Sequence, residues 1–254
     1  MNIITIPLGE LDELEVYPVA DVHLGDPKTD EGMFSRFTAF ILQQPNRYII
    51  CAGDLINNAI KSSVSNVYNE TISPKNQKYI MANYLKPLKD RILCMIPGNH
   101  EERNSKEVDN DITQDIAYMI GCPERYRENA AYINIQFGKD YHGRKLSYTG
   151  YIVHGVGGGK RAGAPANILE MLPLSFVSDF YIIGHLHRRL GFKNVYYKPN
   201  SIWTRLEEFE RAFIIASPWQ EYGGYAQRKL YTPQGKGIKP LILNGKTKGM
   251  EIRI

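Results

Sequence analysis

Apolar, β-branched runs alternate with stretches of helical period along the first two thirds of the chain. Residues 14–22 (Leu-Glu-Val-Tyr-Pro-Val-Ala-Asp-Val) read as a strand, and Pro18, which lacks an N–H, predicts an edge or a bulge there. Residues 32–44 carry Met33, Phe34, Phe37, Phe40 and Ile41 at helical spacing. Residues 48–52 form the next strand and run into Gly53-Asp54. A second helix is predicted over 75–89, started by Ser73-Pro74, and a third over 111–120. Between them residues 91–96 form a strand that runs into Gly98-Asn99-His100. Residues 131–137 and 146–153 read as an antiparallel pair, and 180–183 as a further strand. From residue 202 onward short strands and turns are predicted, with no clear helix. Strands alternating with helices, followed by a strand-rich part, predict a layered α/β fold in a single domain over residues 1–254, whose strand-rich basic part begins at about 188.

Composition narrows this little: 43% hydrophobic and 23% charged is ordinary for a globular protein. No apolar stretch approaches ~20 residues, so no membrane span is expected. Met1 to Pro7 has neither a basic region nor a long apolar core, so no secretory signal is read there and a cytoplasmic, reducing location is expected. Cys51, Cys94 and Cys122 lack zinc-type spacing, and Cys51 and Cys94 lie in strand-like runs as small core residues. Charge changes the picture more. Residues 188–254 hold 13 Lys/Arg and 5 Asp/Glu, a balance of +8, which leaves the first 187 residues at −4. Trp219, Tyr222, Tyr225 and Tyr231 lie near Arg228 and Lys229 in this tail. Such a mixture suits a nucleic-acid backbone and its bases, and equally a solvated basic surface over core aromatics.

The chemistry lies in the histidines. Five of six fall in an ordered set of short motifs, each following a strand-like run: Asp21-Val22-His23, Gly53-Asp54, Gly98-Asn99-His100-Glu101, Val153-His154-Gly155 and Gly184-His185-Leu186-His187. Ligands gather at the carboxyl ends of strands in α/β folds, so one common site is expected. Asp-x-His and His-x-His place two side chains on one side of an extended strand, where both can grip one metal. A carboxylate at Asp54 can bridge two cations, and Asn99 offers a neutral carbonyl. Read singly, His154 is also a plausible core histidine, and His142, in a turn-like segment, is a surface residue.

In this order the motifs resemble those of the calcineurin-like metallophosphoesterase superfamily, and the match spans Asp21 to His187. The resemblance implies a four-layer α-β-β-α sandwich with a dinuclear metal centre at one end. It implies that Asp21, His23, Asp54 and His187 hold one metal. Asp54 would bridge to a second, held by Asn99, His154 and His185, with His100 as the catalytic histidine. Two divalent cations roughly 3.5–4 Å apart clamp a phosphoryl group and acidify a water, and the leaving oxygen then needs a proton. The nitrogen and oxygen ligand set suits Mn²⁺ first, by analogy with intracellular bacterial-type members, with Fe, Zn²⁺ or Ni²⁺ as alternatives.

In the serine/threonine phosphatases of the superfamily, an Asp three residues after the Gly-Asp aspartate orients the histidine, and an Arg after it binds phosphate. Asn57 and Asn58 stand at these positions. Ala20 to Gly25 (Ala-Asp-Val-His-Leu-Gly) instead resembles the first motif of the DNA-repair nucleases, although Glu101 departs from their usual Asp. The chain is most similar to compact phage or bacterial exonuclease-like phosphoesterases, so DNA, RNA or a nucleotide is the expected substrate, with phosphomonoester hydrolysis as the alternative. A non-catalytic scaffold, the third reading, is disfavoured by the complete motif set. Asn57, Arg103, Lys160 and Arg161 are candidate substrate contacts, the last two in a Gly-rich loop suited to phosphate, and 57–77 is a polar segment read as a lid or a surface excursion. No segment declares an oligomeric interface.

Overall fold

A computed structural model describes residues 2–61, 63, 67–158, 163–223, 227, 230, 232–236 and 239–253. The apolar runs become strands of two sheets. One has five strands: β2 (Glu13–Val19), β3 (Arg47–Ala52) and β4 (Ile92–Ile96) run parallel, and β10 (Leu241–Asn244) and β11 (Met250–Ile252) extend it antiparallel beyond β2. The other has six, in the order β1 (Ile4–Pro7), β5 (Ala130–Lys139), β6 (Lys145–Val153), β7 (Phe180–Ile183), β9 (Leu206–Ile215) and β8 (Leu190–Pro199). Within it β6, β7 and β9 are parallel, and β5/β6 and β8/β9 are antiparallel pairs.

Two-residue alternation puts one side chain set of each sheet inward. Val16, Ile50, Cys94 and Leu243 of the five-stranded sheet meet Ile133, Tyr148, Ile152, Phe180 and Ile182 of the six-stranded one. Outside the first sheet lie α1 (Glu31–Leu42), α2 (Pro74–Leu85) and α4 (Ile112–Ile120), whose Phe34, Ile41, Met81, Leu85, Ile116 and Ile120 pack on Ile49, Cys51 and Met95. Outside the second lies α5 (Gly163–Met171), whose Leu169 packs with Tyr181, Ile183 and Phe213. The layering is therefore α-β-β-α. All three cysteines are buried and free. Among the described residues no helix is long and apolar enough to cross a membrane.

The caps follow the expected chemistry. Asp30 accepts the Met33 N–H at the start of α1, Asp111 accepts the Gln114 N–H at the start of α4, and Pro74 opens α2. Several elements differ from the sequence reading. Pro18 lies in β2, which is interior and not an edge strand; its ladder with β10 stops at Val16, so the missing N–H falls where no neighbour asks for it. The strands after residue 202 are not all short, since β9 has ten residues, sustained by pairing with β8 along its whole length. α3 (Asn99–Val108) was not expected: Asn-His-Glu-Glu-Arg-Asn-Ser-Lys-Glu-Val has no apolar stripe, and only Glu101 in it is buried. Trp219 is fully buried, edge-on to Phe34 and Phe37, so it is a core residue and unavailable for stacking on bases.

Candidate metal centre

The loops after β2, β3, β4, β6 and β7 leave the sandwich at one end and carry the five motifs. The five-stranded sheet supplies Asp21, His23, Asp54, Asn99 and His100; the six-stranded sheet supplies His154, His185 and His187. The strand-spacing rationale for Asp-x-His and His-x-His does not hold. Asp21, His23, His185 and His187 all lie past their strands with φ between +48° and +65°, as does Asp54 with φ +52°. Side chains other than Gly adopt this left-handed region at a cost of roughly 1–2 kcal/mol each, and Asp, Asn and His tolerate it best. The loops thus turn sharply, and the two histidines of His185-Leu186-His187 go to different groups.

Among the described residues three clusters have ligand atoms all within 4.8 Å of one another: Asp21, His23 and His187; His23, Asp54 and His100; and Asp54, His154 and His185. His187 Nε2 is 3.0 Å from His23 Nε2 and 3.3 Å from Asp21 Oδ1. Asp54 Oδ2 stands between the outer clusters, 3.8 Å from His23 Nε2 and 3.2 Å from His154 Nε2. Asn99 Oδ1 joins the second side, 3.1 Å from His154 Nε2 and 2.8 Å from His185 Nδ1. The donors fit divalent cations. Among the described residues Asp21 Oδ2 is buried with no hydrogen-bond partner, and His23 and His187 bring two Nε2 atoms to 3.0 Å.

The outer ring of contacts fixes the imidazoles. His154 Nδ1 donates to the Ala52 carbonyl at 2.8 Å, which leaves Nε2 facing Asp54. His185 donates from Nε2 to the Gly157 carbonyl at 3.1 Å. Burial lowers the His154 pKa, but the Asp54 carboxylate outweighs it and the ring is pushed up to about 10. Burial dominates at His23 and His100, whose pKa values are lowered. Asp54 stays a carboxylate: burial pushes its pKa up, and His154, His100 and His23 together bring it well below the usual range.

Glu101, one position after the catalytic candidate, is the residue the sequence reading left without a role. It is 1% exposed and accepts three main-chain N–H groups: Gly98 at 2.8 Å, Asp54 at 2.9 Å and Ile56 at 3.0 Å. It therefore ties the loop of Asp54 to the start of α3. A Glu at the third helical position after an uncharged cap was the signal available in the sequence. Gly98 has to be glycine, because a Cβ there would meet Asp54 Oδ1 at 2.2 Å.

Around His100, the structure moves one expected contact. His100 Nδ1 donates to the main-chain carbonyl of Asn57 at 2.7 Å, while the Asn57 side chain turns away to Glu70 and the residue is 2% exposed. Asn58 is wholly buried and donates to the His100 carbonyl at 2.7 Å. Arg103 sits half-buried beside them, donating to the same Asn57 carbonyl at 3.3 Å. Lys160 and Arg161, like Tyr225, Arg228, Lys229 and Tyr231, lie outside the described residues. Of the segment 57–77, both ends are anchored, Asn57 and Gln77 being buried, while residues 62 and 64–66 within it lie outside the described residues.

None of the curated proteins compared matches the sequence. Among solved structures, the calcineurin-like phosphoesterase YfkN from Bacillus subtilis is similar, at 14% identity and a TM-score of 0.44, covering 94% of this chain and 88% of that one. The Pseudomonas putida nuclease MPE is similar at 12% identity and a TM-score of 0.37, over 94% and 87% of the two chains. A NAD nucleotidase of Haemophilus influenzae is similar at 9% identity and 0.42, over 95% of this chain and 49% of that one. The model of the calcineurin-like phosphoesterase family matches residues 16–170, more than half of the sequence, and the chain belongs to that family.

Proposed function

We propose that the protein is a metal-dependent phosphodiesterase acting on nucleic acid or nucleotides. The observation that carries hydrolysis is the pair of ligand clusters joined through Asp54, with His100 Nε2 3.8 Å from the same carboxylate. Asp21, His23 and His187 would hold one cation, and Asn99, His154 and His185 a second, with Asp54 shared. Two such cations, Mn²⁺ in the first instance, would supply the charge that draws in a phosphate ester and acidifies a water. His100 keeps one proton on Nδ1, bonded to Asn57, so Nε2 faces the reaction; it can take a proton from the attacking water or solvent and, as the imidazolium, give it to a leaving oxygen. The His187 side chain is 39% exposed, so solvent reaches the cluster past it.

The diester preference rests on position 58. A cation there could clamp the extra charge of a monoester, whereas Asn58 is buried and neutral and spends its amide on α3. Arg103 favours the second reading, a phosphomonoesterase, because it is a cation within reach of the same carbonyl as His100. Assay of the Mn²⁺-loaded protein on bis(p-nitrophenyl) phosphate, p-nitrophenyl phosphate, and single- and double-stranded DNA separates the two. The diester and at least one polymer are expected to be cleaved. A higher kcat/KM for the monoester with no polymer cleavage would overturn the reading.

A further inference from the structure

Asn57 C=O and Asn58 N–H belong to one peptide group. Its oxygen takes the proton of His100 Nδ1 at 2.7 Å, and its N–H donates to Gln77 Oε1 at 2.8 Å. The peptide is gripped at both ends, one of them the proposed acid. It needs gripping, since Asn58 has φ +45° and relaxation of that strained turn would rotate the carbonyl away from His100.

Gln77 can do this in only one orientation. Its Nε2 donates to Ile72 O at 2.7 Å and to Glu70 Oε2, so its oxygen must face Asn58. The other carboxylate oxygen of Glu70 accepts Asn57 Nδ2 at 2.5 Å. Gln77 is completely buried, and room for it is made by Gly25 (φ +103°), where any Cβ would collide with the Gln77 amide at 2.1 Å. One carboxylate thus orients two amides, and the two amides fix the single peptide that holds His100.

We propose that Glu70 and Gln77 are positioning residues for His100. Through the 57–58 peptide they keep its proton on Nδ1 and its Nε2 turned to the reacting phosphate ester. A chain of aligned donors that ends on a carboxylate also makes the Asn57 carbonyl a better acceptor, which favours the imidazolium, the form in which both ring nitrogens carry a proton and Nε2 can give one up. The proposal rests on His100 acting as the acid of the reaction above.

The test uses two diesters. A p-nitrophenolate departs without help, whereas the alkoxide of a dinucleotide needs the proton. Glu70→Ala in the metal-loaded protein is expected to lower kcat on a dinucleotide by about 10–100-fold, the usual scale for partners one step behind the reacting group. The loss on bis(p-nitrophenyl) phosphate is expected to be several-fold smaller, with metal content and KM little changed. In a His100→Ala background the same substitution should add nothing. Glu70→Gln, which can still accept from Gln77 and donate to a flipped Asn57, should recover most of the loss, and Gln77→Ala should behave as Glu70→Ala does. ¹⁵N spectra of the Zn²⁺-loaded protein read the His100 tautomer without any turnover, so they decide the positioning even if no phosphoester is hydrolysed. Equal losses on both diesters, losses that add to His100→Ala, a fall accounted for by lost metal, or a ring that keeps its Nδ1 proton in Glu70→Ala would each overturn the proposal.

Discussion

Glu101→Gln isolates what the buried carboxylate does for the loop of Asp54. Both oxygens are committed: Oε2 to the N–H groups of Gly98 and Asp54, Oε1 to that of Ile56. Glutamine has one acceptor, and its amide nitrogen is least harmful at the Oε1 position, where it loses the bond to Ile56 and sets two donors against each other. A lost hydrogen bond to a charged group is worth roughly 1.5–3 kcal/mol, and the two remaining bonds weaken from charged to neutral acceptors by roughly another 1 kcal/mol. Against this, the variant no longer buries a charge. Burial and the nearby Asp54 push the Glu101 carboxyl from 4.5 up to about 7, so above pH 7 the charge costs the native fold roughly 3 kcal/mol that the amide removes. The two contributions are of similar size and opposite sign, and the net expectation for the metal-free protein at pH 8 is a stability change within about 1 kcal/mol of zero. At roughly 2–4 °C per kcal/mol for a chain of this size, Tm should move by no more than about 4 °C. Urea unfolding should accordingly show a nearly native midpoint at unchanged slope, while the folded variant should retain less metal at limiting concentration, because the loop of Asp54 loses one of its ties to Glu101. A native metal stoichiometry would show that the three N–H groups find other acceptors and that Glu101 is dispensable for the site, and a midpoint lowered by the full value of the lost bonds would show that the buried charge costs the fold nothing.

His100→Ala should lower kcat on a dinucleotide by roughly 10²–10⁴-fold and leave metal content intact by elemental analysis; an unchanged rate would remove His100 from the reaction. Metal uptake should release protons, because the Asp54 carboxylate holds His154 protonated in the metal-free site up to about pH 10. In a weakly buffered titration at pH 7.5 at least about half a proton per protein should appear, and metal affinity should rise with pH; uptake with no proton release would contradict this. The same shift has a stability sign: the His154 contribution to the metal-free fold is fully present below its ordinary 6.5 and is lost as pH rises through about 10. Gly184→Ala should impair activity well beyond its effect on unfolding, since its Cβ would lie 2.7 Å from that of Ala20 and 3.2 Å from His154 Nδ1; native kcat in that variant would refute the close fit.

The sandwich was legible because strands such as Ile92–Ile96 and Phe180–Ile183 are short, continuous apolar runs and because those that lead to the site end in a polar motif. The convergence of His23, Asp54, His100, His154, His185 and His187 followed from that arrangement. What could not be read were features with no side-chain periodicity. α3 has no apolar face because it lies over the site and not over the core. Glu70 and Gln77 matter through tertiary hydrogen bonds to main-chain and amide groups, and nothing in their neighbours signals burial; the capping position of Glu101 pointed to its bond with Gly98 and not to those with Asp54 and Ile56. The partner of His100 is a main-chain carbonyl, and any residue type at position 57 carries one. The left-handed turns of the ligand loops were hidden for a related reason: Asp, Asn and His are chosen at once for coordination and for tolerating that conformation, so the second role is masked by the first.

The division of the ligands between two sheets makes the apolar interior a measuring device. His154, His185 and His187 ride on one layer, and Asp21, His23, Asp54 and Asn99 on the other. The distance from His154 to Asp54 is therefore set by how closely the layers stack, with the contact of Gly184 on Ala20 and Ala52 as the stop at the active end. Interiors close-packed like crystals resist compression, so this spacing is held by packing together with hydrogen bonds that cross between the layers, His154 Nδ1 to the Ala52 carbonyl and the His185 N–H to Asp21 Oδ1. Substitutions deep between the sheets, at Ile50 or Ile182 for instance, touch no ligand yet alter the gauge. Volume changes there should act on catalysis as a continuous adjustment of alignment, and a family of such variants would tune the spacing of the centre from within.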